Sequence, residues 1–583
     1  MINPTPEQNI AVDQRGLCVL SACPGSGKTF TVAHRIKRIV NEKRLLPYQG
    51  VVALSFTNIA KDSIIKEYWE ISGKQIGSPH YVGTIDSFLN NAIFRPFSHK
   101  LIGNGKKEIR ILDVHSDWLN IVYPKSALFK INPHNITFNM NGEIVYQTRK
   151  LVEGKQQEYI EWLKKDLLKK CIVTQADVNF FCYEVLKKYA NICRALIDKY
   201  PYFIIDEAQD CSAVQMGIVD LLVARGHAEV MLVGDAYQAI YEWRDANPRL
   251  FVKKETENNW QKKELLHSQR SGKVICQFLN KFHNNRAIKQ DVARVELNDA
   301  EVKVVHCVDR RILCDNFLED VKRKGIPIRK EKVAILYGGH ASKINFRKTN
   351  IDPFNIWKNS DVGLTNTRKV YSLPLLSKIA FIEKNYKKSY SYLEKFFYYL
   401  IEKKHLVSSD DVRGHLLDRI ENRVVLWNLC TNLPSLETEI DAWICKTNAL
   451  IFKTAQQLGI SSRIEIKKTK KVTNFNIYHE LFGTIAPFKS INNVTLENVH
   501  QIKGRTFDAV MVFIDSGRGD FKLSIGKLEK ILQHKNLLSG DYHEDGRCFY
   551  VAASRARRLL WIASADSKIE KIFNDDLRNC LRI

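Results

Sequence analysis

The stretch Ala22-Cys23-Pro24-Gly25-Ser26-Gly27-Lys28-Thr29 constrains this chain more than any other. It follows the apolar run Leu17-Cys18-Val19-Leu20 and precedes Val32, Ala33, Ile36, Ile39 and Val40, which are spaced as on one face of a helix. A strand, a glycine-rich loop and a helix in that order form a phosphate-binding loop (P-loop), whose backbone N–H groups and helix N-terminus point at a polyphosphate. Lys28 is expected to reach the β- and γ-phosphates and Thr29 to hold Mg²⁺. Ala22 stands where the general pattern has glycine, and a residue that small still permits the turn. A nucleoside triphosphate, with Mg²⁺, is therefore the expected ligand.

At 583 residues the chain exceeds what one hydrophobic core serves, so several domains are expected. Hydrophobic residues at 45% and charged residues at 26% suit a globular protein, and no uninterrupted apolar stretch is long enough to span a bilayer. No basic-then-apolar leader opens the sequence, which makes a cytoplasmic location the default expectation. A net charge of +25 predicts attraction to a polyanion, of which nucleic acid is the first choice. A membrane surface is disfavoured because the lysines are dispersed and no lipidation motif is present. The 13 cysteines form no C-x-x-C pair. Cys171, Cys182 and Cys193 recur every eleven residues, a spacing expected to put them on one helix face as buried free thiols rather than metal ligands.

Alternating strand and helix signals fall in two blocks. One runs from the N-terminus to Phe94 and resumes near Pro201. The other begins near Lys263, shows in Val333-Ala334-Ile335-Leu336-Tyr337 and resumes at Val494. Helix-like stretches rich in lysine and tyrosine interrupt each block. The simplest architecture is α/β, with two parallel-sheet cores that each carry a mainly helical inserted domain. In the second insertion, Tyr386, Tyr390, Leu393, Phe397 and Leu400 have helical spacing and lysines between them. A buried helical face is the favoured reading and base stacking the alternative.

Phe203-Ile204-Ile205 ends at Asp206-Glu207-Ala208-Gln209-Asp210, which puts carboxylates at the tip of a buried strand. Asp206 is expected to hold Mg²⁺ directly or through water, and Glu207 to polarise the water that attacks the γ-phosphate. A further strand, Val230-Met231-Leu232-Val233, leads into Gly234-Asp235-Ala236-Tyr237-Gln238-Ala239-Ile240-Tyr241-Glu242-Trp243-Arg244.

With these three segments the chain resembles the UvrD/Rep-type branch of superfamily 1 helicases, and most of that family's motif series follows in order. Pro6-Glu7-Gln8 resembles the glutamine motif, which gives Gln8 the reading of adenine. Ala53-Leu54-Ser55-Phe56-Thr57-Asn58-Ile59-Ala60 and Gly83-Thr84-Ile85-Asp86-Ser87-Phe88 resemble motifs that touch single-stranded DNA, through Phe56, Thr57 and Thr84. Asp86 stands where family members usually have histidine, and a carboxylate there would repel a phosphate. The resemblance makes Gln238 the γ-phosphate sensor and Tyr241 and Trp243 base-stacking aromatics.

Farther on, Gln269-Arg270-Ser271, then Asn498-Val499-His500-Gln501-Ile502-Lys503-Gly504-Arg505-Thr506-Phe507-Asp508, then Glu544 with Arg547 and Tyr550-Val551-Ala552-Ala553-Ser554-Arg555-Ala556 complete the series. Arg270 and Arg555 inherit the role of arginines that reach the γ-phosphate across the cleft between the cores. Gly504 inherits a place at the nucleotide and His500 a place at the DNA. Gln269 replaces the tyrosine usually stacked on adenine, so relaxed base selectivity is expected.

The resemblance implies two RecA-like motor domains. The first is assigned residues 1–94 and 195–262 and binds ATP; the second is assigned 263–344 and 494–583. The inserted domains are 95–194 and a reduced 345–493. It also implies an ATP-dependent DNA translocase or helicase moving 3′-to-5′. A reading from another class is a DNA-end or single-strand-sensing ATPase that gates a nuclease without processive unwinding; a third is a small-substrate phosphotransferase, which the trans arginines argue against. Gly83-Thr84-Ile85-Asp86-Ser87-Phe88 with Phe94-Arg95-Pro96-Phe97, and the compact length, further resemble the helicase-like subunit of Gabija antiphage systems. That likeness implies a role in antiviral defence and a separate OLD-type nuclease subunit as partner.

Overall fold

In a computed structural model the described residues are 3–573 apart from 43, 103–108, 113–122, 124, 127–128, 130, 148–153, 243–245, 283–287, 291–296, 338–355, 358–366, 383–384, 404–408, 413, 462–464, 470–471, 478–492, 515–524, 535–536 and 539–542. Two parallel sheets organise them. The first is built from β1 (Cys18–Ala22), β2 (Val51–Ser55), β3 (Tyr81–Thr84), β4 (Tyr202–Ile205), β5 (Val230–Gly234) and β6 (Gln261–Leu265), in the spatial order β6-β1-β5-β4-β2-β3. The second is built from β7 (Glu301–His306), β8 (Val333–Tyr337), β9 (Thr495–Asn498), β10 (Phe507–Ile514) and β11 (Ala556–Ser564), in the order β7-β11-β10-β8-β9.

The inner strands are mostly apolar, interrupted only near their ends by residues such as Ser21, Ser55 and Asp508, because helices cover both faces of each sheet. Every residue of β1, β2, β4, β5, β8 and β10 is buried. The edge strand β6 reads Gln-Lys-Lys-Glu-Leu, and its exposed charges protect an edge that would otherwise invite pairing. Val32, Ala33, Ile36 and Ile39 are the buried face of the helix Lys28–Asn41, as their spacing predicts. A single apolar cluster runs from Cys23, Tyr237, Ile240 and Tyr241 of the first half into Ile502, Tyr550 and Val551 of the second, so the two sheets share a packed boundary.

Each interruption of the sheets has its own core. Ile136, Ile160, Leu163 and Leu167 form one, centred on the helix Lys155–Lys169. The helices Thr367–Ile382, Tyr386–Glu402, Ile420–Asn432 and Ile440–Gln457 form the other. Leu393, Phe397 and Leu400 are buried there, whereas Tyr386 is exposed on the first turn of its helix. The helical spacing therefore marks a core face that starts only after that turn.

The three cysteines at eleven-residue intervals are buried free thiols, but they do not share a helix. Cys171 lies in a turn at φ +56°, Cys182 is on Gln175–Lys188 and Cys193 is on Ala190–Lys199. The chain breaks helix at Cys171 and again at Tyr189, so the common face expected from their period does not form. No cluster of metal-ligating side chains occurs among the described residues, and no helix there is long and apolar enough to cross a membrane.

Candidate nucleotide site and inter-core cleft

The chemistry-bearing loops leave the carboxyl ends of adjacent strands, where an open parallel sheet binds ligands. Register aligns them: Ala22 is level with Leu265, Ser21 with Gly234, and Ile205 with both Leu54 and Leu232. The loop after β1 turns on Gly25 at φ +78° and Gly27 at φ +83°. A Cβ on Gly27 would lie 2.5 Å from Gln8 Nε2, and one on Gly25 would lie 2.4 Å from Arg270 Cβ. Both positions thus need glycine for conformation and for space. Cys23 N–H donates to Leu265 O at 2.8 Å, and the Ser26 hydroxyl to Cys23 O at 2.9 Å. Pro24 lies between them, and Lys28 and Thr29 open the helix.

Gln8 sits on the helix Pro6–Asp13, where it completes a capping box with Thr5. Its Nε2 donates to Ser26 O at 2.9 Å, so the expected adenine reader grips the phosphate loop here. Gln269 N–H donates to Gly25 O at 2.9 Å. The loop is therefore held from the N-terminal helix and from the strand that leads to the second sheet.

Asp206 and Glu207 follow β4. Asp206 is fully buried; its Oδ1 accepts from Glu207 N–H at 2.9 Å and its Oδ2 has no hydrogen-bond partner. Burial and the neighbouring Glu207 charge push the Asp206 carboxyl up to about 7. A buried carboxylate oxygen left unpaired beside a second carboxylate is a donor set that fits Mg²⁺, with the Thr29 hydroxyl on the adjoining helix. Glu207 occupies the left-handed region at φ +57°, a strained setting for a residue with a Cβ. Burial works to raise its pKa, but Lys28, 4.0 Å away, and Lys503, 3.7 Å away, outweigh it and hold the carboxyl down at about 2. Glu207 is thus a carboxylate at neutral pH, and Gln209 Nε2 fixes its Oε2 at 2.6 Å.

The second half supplies cations to the same cleft. Arg555 is buried; its Nη2 donates to Gln238 Oε1 at 2.6 Å, and Gln238 Nε2 donates to Asp235 Oδ2 at 2.7 Å. Arg270 Nη1 donates to Ser554 O at 3.2 Å. Burial lowers both guanidinium pKa values, Arg270 to about 9 with help from the Arg555 charge, and Arg555 to about 10. Both remain charged at neutral pH. Gly504, at φ +87°, turns the chain after Lys503, and its Cβ position would lie 3.5 Å from Ile59 of the first half.

Residues expected at DNA gather beside this network. Phe56 stacks on Tyr241 with ring centroids 5.0 Å apart, and Tyr241 donates to His500 O at 3.4 Å. Thr57 and Thr84 each cap the helix that follows their strand, accepting from Ala60 N–H at 3.2 Å and from Ser87 N–H at 3.1 Å. Asp86 accepts from Gln215 Nε2 at 3.3 Å, which directs its carboxylate to a neighbouring helix. Trp243 lies outside the described residues.

Two groups that sequence reasoning left without a role stand out. Lys503 is buried, forms ion pairs with Asp210 and Glu207, donates to Gln238 O at 3.0 Å and lies 4.9 Å from the Tyr241 ring centre. It joins the carboxylate cluster to the aromatic platform. Arg547 is fully buried, donating from Nε to Ala239 O and from Nη1 to Leu537 O, each at 2.5 Å, and pairing with Glu242. No local signal marked them, because Lys503 and Arg547 stand among other polar and charged residues in their segments.

Comparison with known proteins agrees with this geometry. Residues 3–259 match the UvrD/REP helicase N-terminal domain, and residues 460–567 match the UvrD-like helicase C-terminal domain. DNA helicase II of Rickettsia typhi is 22% identical over 98% of this chain and 93% of its own length. The ATP-dependent DNA helicase Rep of Buchnera aphidicola is 23% identical over 94% of this chain and 82% of its own. DNA helicase II of Escherichia coli is 27% identical over 42% of this chain, a match that spans 35% of that relative.

Proposed function

The chain belongs to the UvrD/Rep-type superfamily 1A helicases and is an ATP-hydrolysing enzyme of that architecture, from which we propose that it is a motor that steps 3′-to-5′ along single-stranded DNA. The observation that carries the reading is the contact of Arg555 with Gln238 across the cleft, beside the carboxylates of Asp206 and Glu207 and the phosphate loop. In this reading residues 1–94 and 195–262 bind the nucleotide, 263–344 and 494–583 supply the trans arginines, and 95–194 and 345–493 are insertions.

Backbone N–H groups of the loop from Gly25 to Thr29 cradle the phosphates, and Lys28 neutralises their charge. Thr29 and Asp206 would hold Mg²⁺, which would supply positive charge to offset that of the phosphates. Glu207, ionised and fixed by Gln209, orients the attacking water. Arg270 and Arg555 stabilise the charge that develops on the transferred phosphoryl group. Gln8 and Gly504 complete the nucleotide surroundings, and contact with DNA is assigned to Phe56, Thr57, Thr84, Tyr241, Trp243 and His500. Closure on ATP and release after hydrolysis become steps if the two cores grip DNA differently.

The narrower likeness to the Gabija helicase-like subunit supports a cytoplasmic role in antiviral defence beside an OLD-type nuclease subunit. The compact helical insertion supports the second form of that role, an ATPase that senses single strands or DNA ends and gates the nuclease without processive unwinding.

The deciding experiment is ATP hydrolysis by the full chain with no nucleic acid, single-stranded DNA, blunt duplex or single-stranded RNA, with Glu207→Gln as the blank. Strong stimulation by single-stranded or end-bearing DNA is expected. Turnover indifferent to DNA would overturn the motor reading. Hydrolysis stimulated without strand separation would select the gating form.

A further inference from the structure

The helix Ile420–Asn432 has apolar residues on two sides. Leu426, Leu429 and Cys430 enter the core of the helical insertion. Ile420, Val424 and Trp427 lie at i, i+4 and i+7 on the other side, with Ile420 79% and Val424 52% exposed. This second stripe runs about 10 Å along the helix axis, close to two turns. It continues onto the junction of the two preceding helices. The Trp427 ring is tilted against Phe381 at 6.1 Å and edge-on to Tyr386 at 6.0 Å, and Ile382 and Tyr386 are themselves exposed. Five of these side chains, Ile382, Tyr386, Ile420, Val424 and Trp427, are exposed and run together as one strip rather than scattered singly.

The rim of the strip is basic. Among the described residues beside the strip, Lys387, Lys388 and Arg419 are exposed against one exposed acid, Glu421, while Arg423 is paired with Asp418. We propose that this strip is a docking surface for a partner protein's amphipathic helix, one that carries apolar side chains at matching spacing and Asp or Glu along its flanks.

The chemistry of the strip favours that occupant. Ile382, Ile420 and Val424 have no π face to stack on a base, and Trp427 stands at 83° to Tyr386, so the two exposed rings do not form parallel stacking steps. A second copy of the same face would set Lys387, Lys388 and Arg419 against like charges across a two-fold axis. An acid-flanked helix satisfies the apolar stripe and the rim together. The strip lies on the helical insertion and includes none of the side chains assigned to hydrolysis, so its occupancy is separable from turnover.

The test uses the full chain and a fluorescein-labelled designed helix with Leu at i, i+4 and i+7 and Glu on both flanks. A version with Lys on the flanks and an oligothymidylate are the comparison probes. Saturable binding of the Glu-flanked helix is expected. It should weaken about tenfold in Ile420→Glu/Val424→Glu and roughly threefold in Lys387→Glu/Lys388→Glu. DNA-stimulated ATP hydrolysis should stay unchanged in both variants, which reports that they are folded. Equal affinity for the Glu- and Lys-flanked helices, or binding unaltered by the Ile420/Val424 pair, would overturn the proposal. Oligothymidylate binding lost through these same substitutions would replace it with a nucleic-acid site. Self-association abolished by them would replace it with a contact between copies of this chain.

Discussion

Replacing Arg555 with alanine should lower kcat about a thousandfold while leaving KM within about threefold. The magnitude follows from the position of the side chain. Arg555 is buried, and its Nη2 is fixed on Gln238 Oε1 at 2.6 Å and its Nε on Val551 O at 3.0 Å. Burial brings its pKa to about 10, so at pH 7 only about one molecule in a thousand lacks the charge. A unit charge about 4 Å from a developing phosphoryl charge, at an effective dielectric constant of about 20, contributes about 4 kcal/mol. At 1.36 kcal/mol per decade this is about three decades in rate, the lower end of what trans arginines contribute. The assay is steady-state phosphate release at saturating single-stranded DNA across a range of ATP concentrations, with a thermal-unfolding midpoint to confirm the fold. Arg555→Lys keeps the charge but loses the fork, and should fall between wild type and Arg555→Ala. A raised KM with kcat intact would refute the reasoning, because it would mean that Arg555 binds the ground state and the transition state equally.

Lys28→Ala should abolish hydrolysis and leave single-stranded DNA binding largely intact, as read by fluorescence anisotropy; parallel loss of both would mean misfolding instead. Lys503→Met leaves Asp210 buried without its cation, and breaking such a pair costs about 3–5 kcal/mol unless the carboxyl takes up a proton. Lys503→Met/Asp210→Asn should therefore unfold at a higher temperature than Lys503→Met alone, and strictly additive effects in that cycle would dismiss the pairing. His227 donates to Tyr200 O at 2.9 Å, and burial lowers its pKa from 6.5 to about 4. Between those values the unfolded chain binds the proton and the folded chain does not, so stability falls as pH drops from 6.5 toward 4. The loss approaches about 3 kcal/mol. His227→Gln should flatten the unfolding midpoint between pH 7 and pH 5, and an unchanged slope would point to other groups.

The phosphate loop was legible because its constraints are local. Glycine at positions 25 and 27 answers both a positive φ and the close approach of Arg270 and Gln8. The parallel sheets were legible for a related reason, since strands buried on both faces read as continuous apolar runs. The cross-cleft contacts were not legible as pairs. Lys503 finds Asp210, and Arg547 finds Glu242, across about three hundred residues of chain, and nothing local in the sequence joins them. Local reasoning also missed partners that come from elsewhere in the chain. Asp86 reads as a carboxylate that would repel a phosphate, and the Gln215 amide that donates to it comes from more than a hundred residues away. The period of Cys171, Cys182 and Cys193 suggested one helix, but period reports spacing and not the breaks at Cys171 and Tyr189.

The cleft described here is closed by its own side chains, and that gives the proposed coupling a physical route. Arg555 holds Gln238, and Lys503 holds Asp210 and Glu207 while donating to the Gln238 carbonyl. A γ-phosphate that attracts Arg555 must draw it from Gln238 Oε1. Three residues later, beyond the short turn that ends at Gln238, Tyr241 stacks on Phe56 and bonds to His500 O, with Lys503 near its ring. Lys503 contacts both the Gln238 backbone carbonyl and the Tyr241 ring, so a backbone shift that accompanied release of Arg555 would reach Tyr241. In the opposite direction, a base that displaced Phe56 from Tyr241 would reach Lys503, the cation nearest Glu207. In the proposed motor, coupling between nucleotide and DNA would need no long relay, since one buried lysine reaches Glu207, the Gln238 carbonyl and the Tyr241 ring.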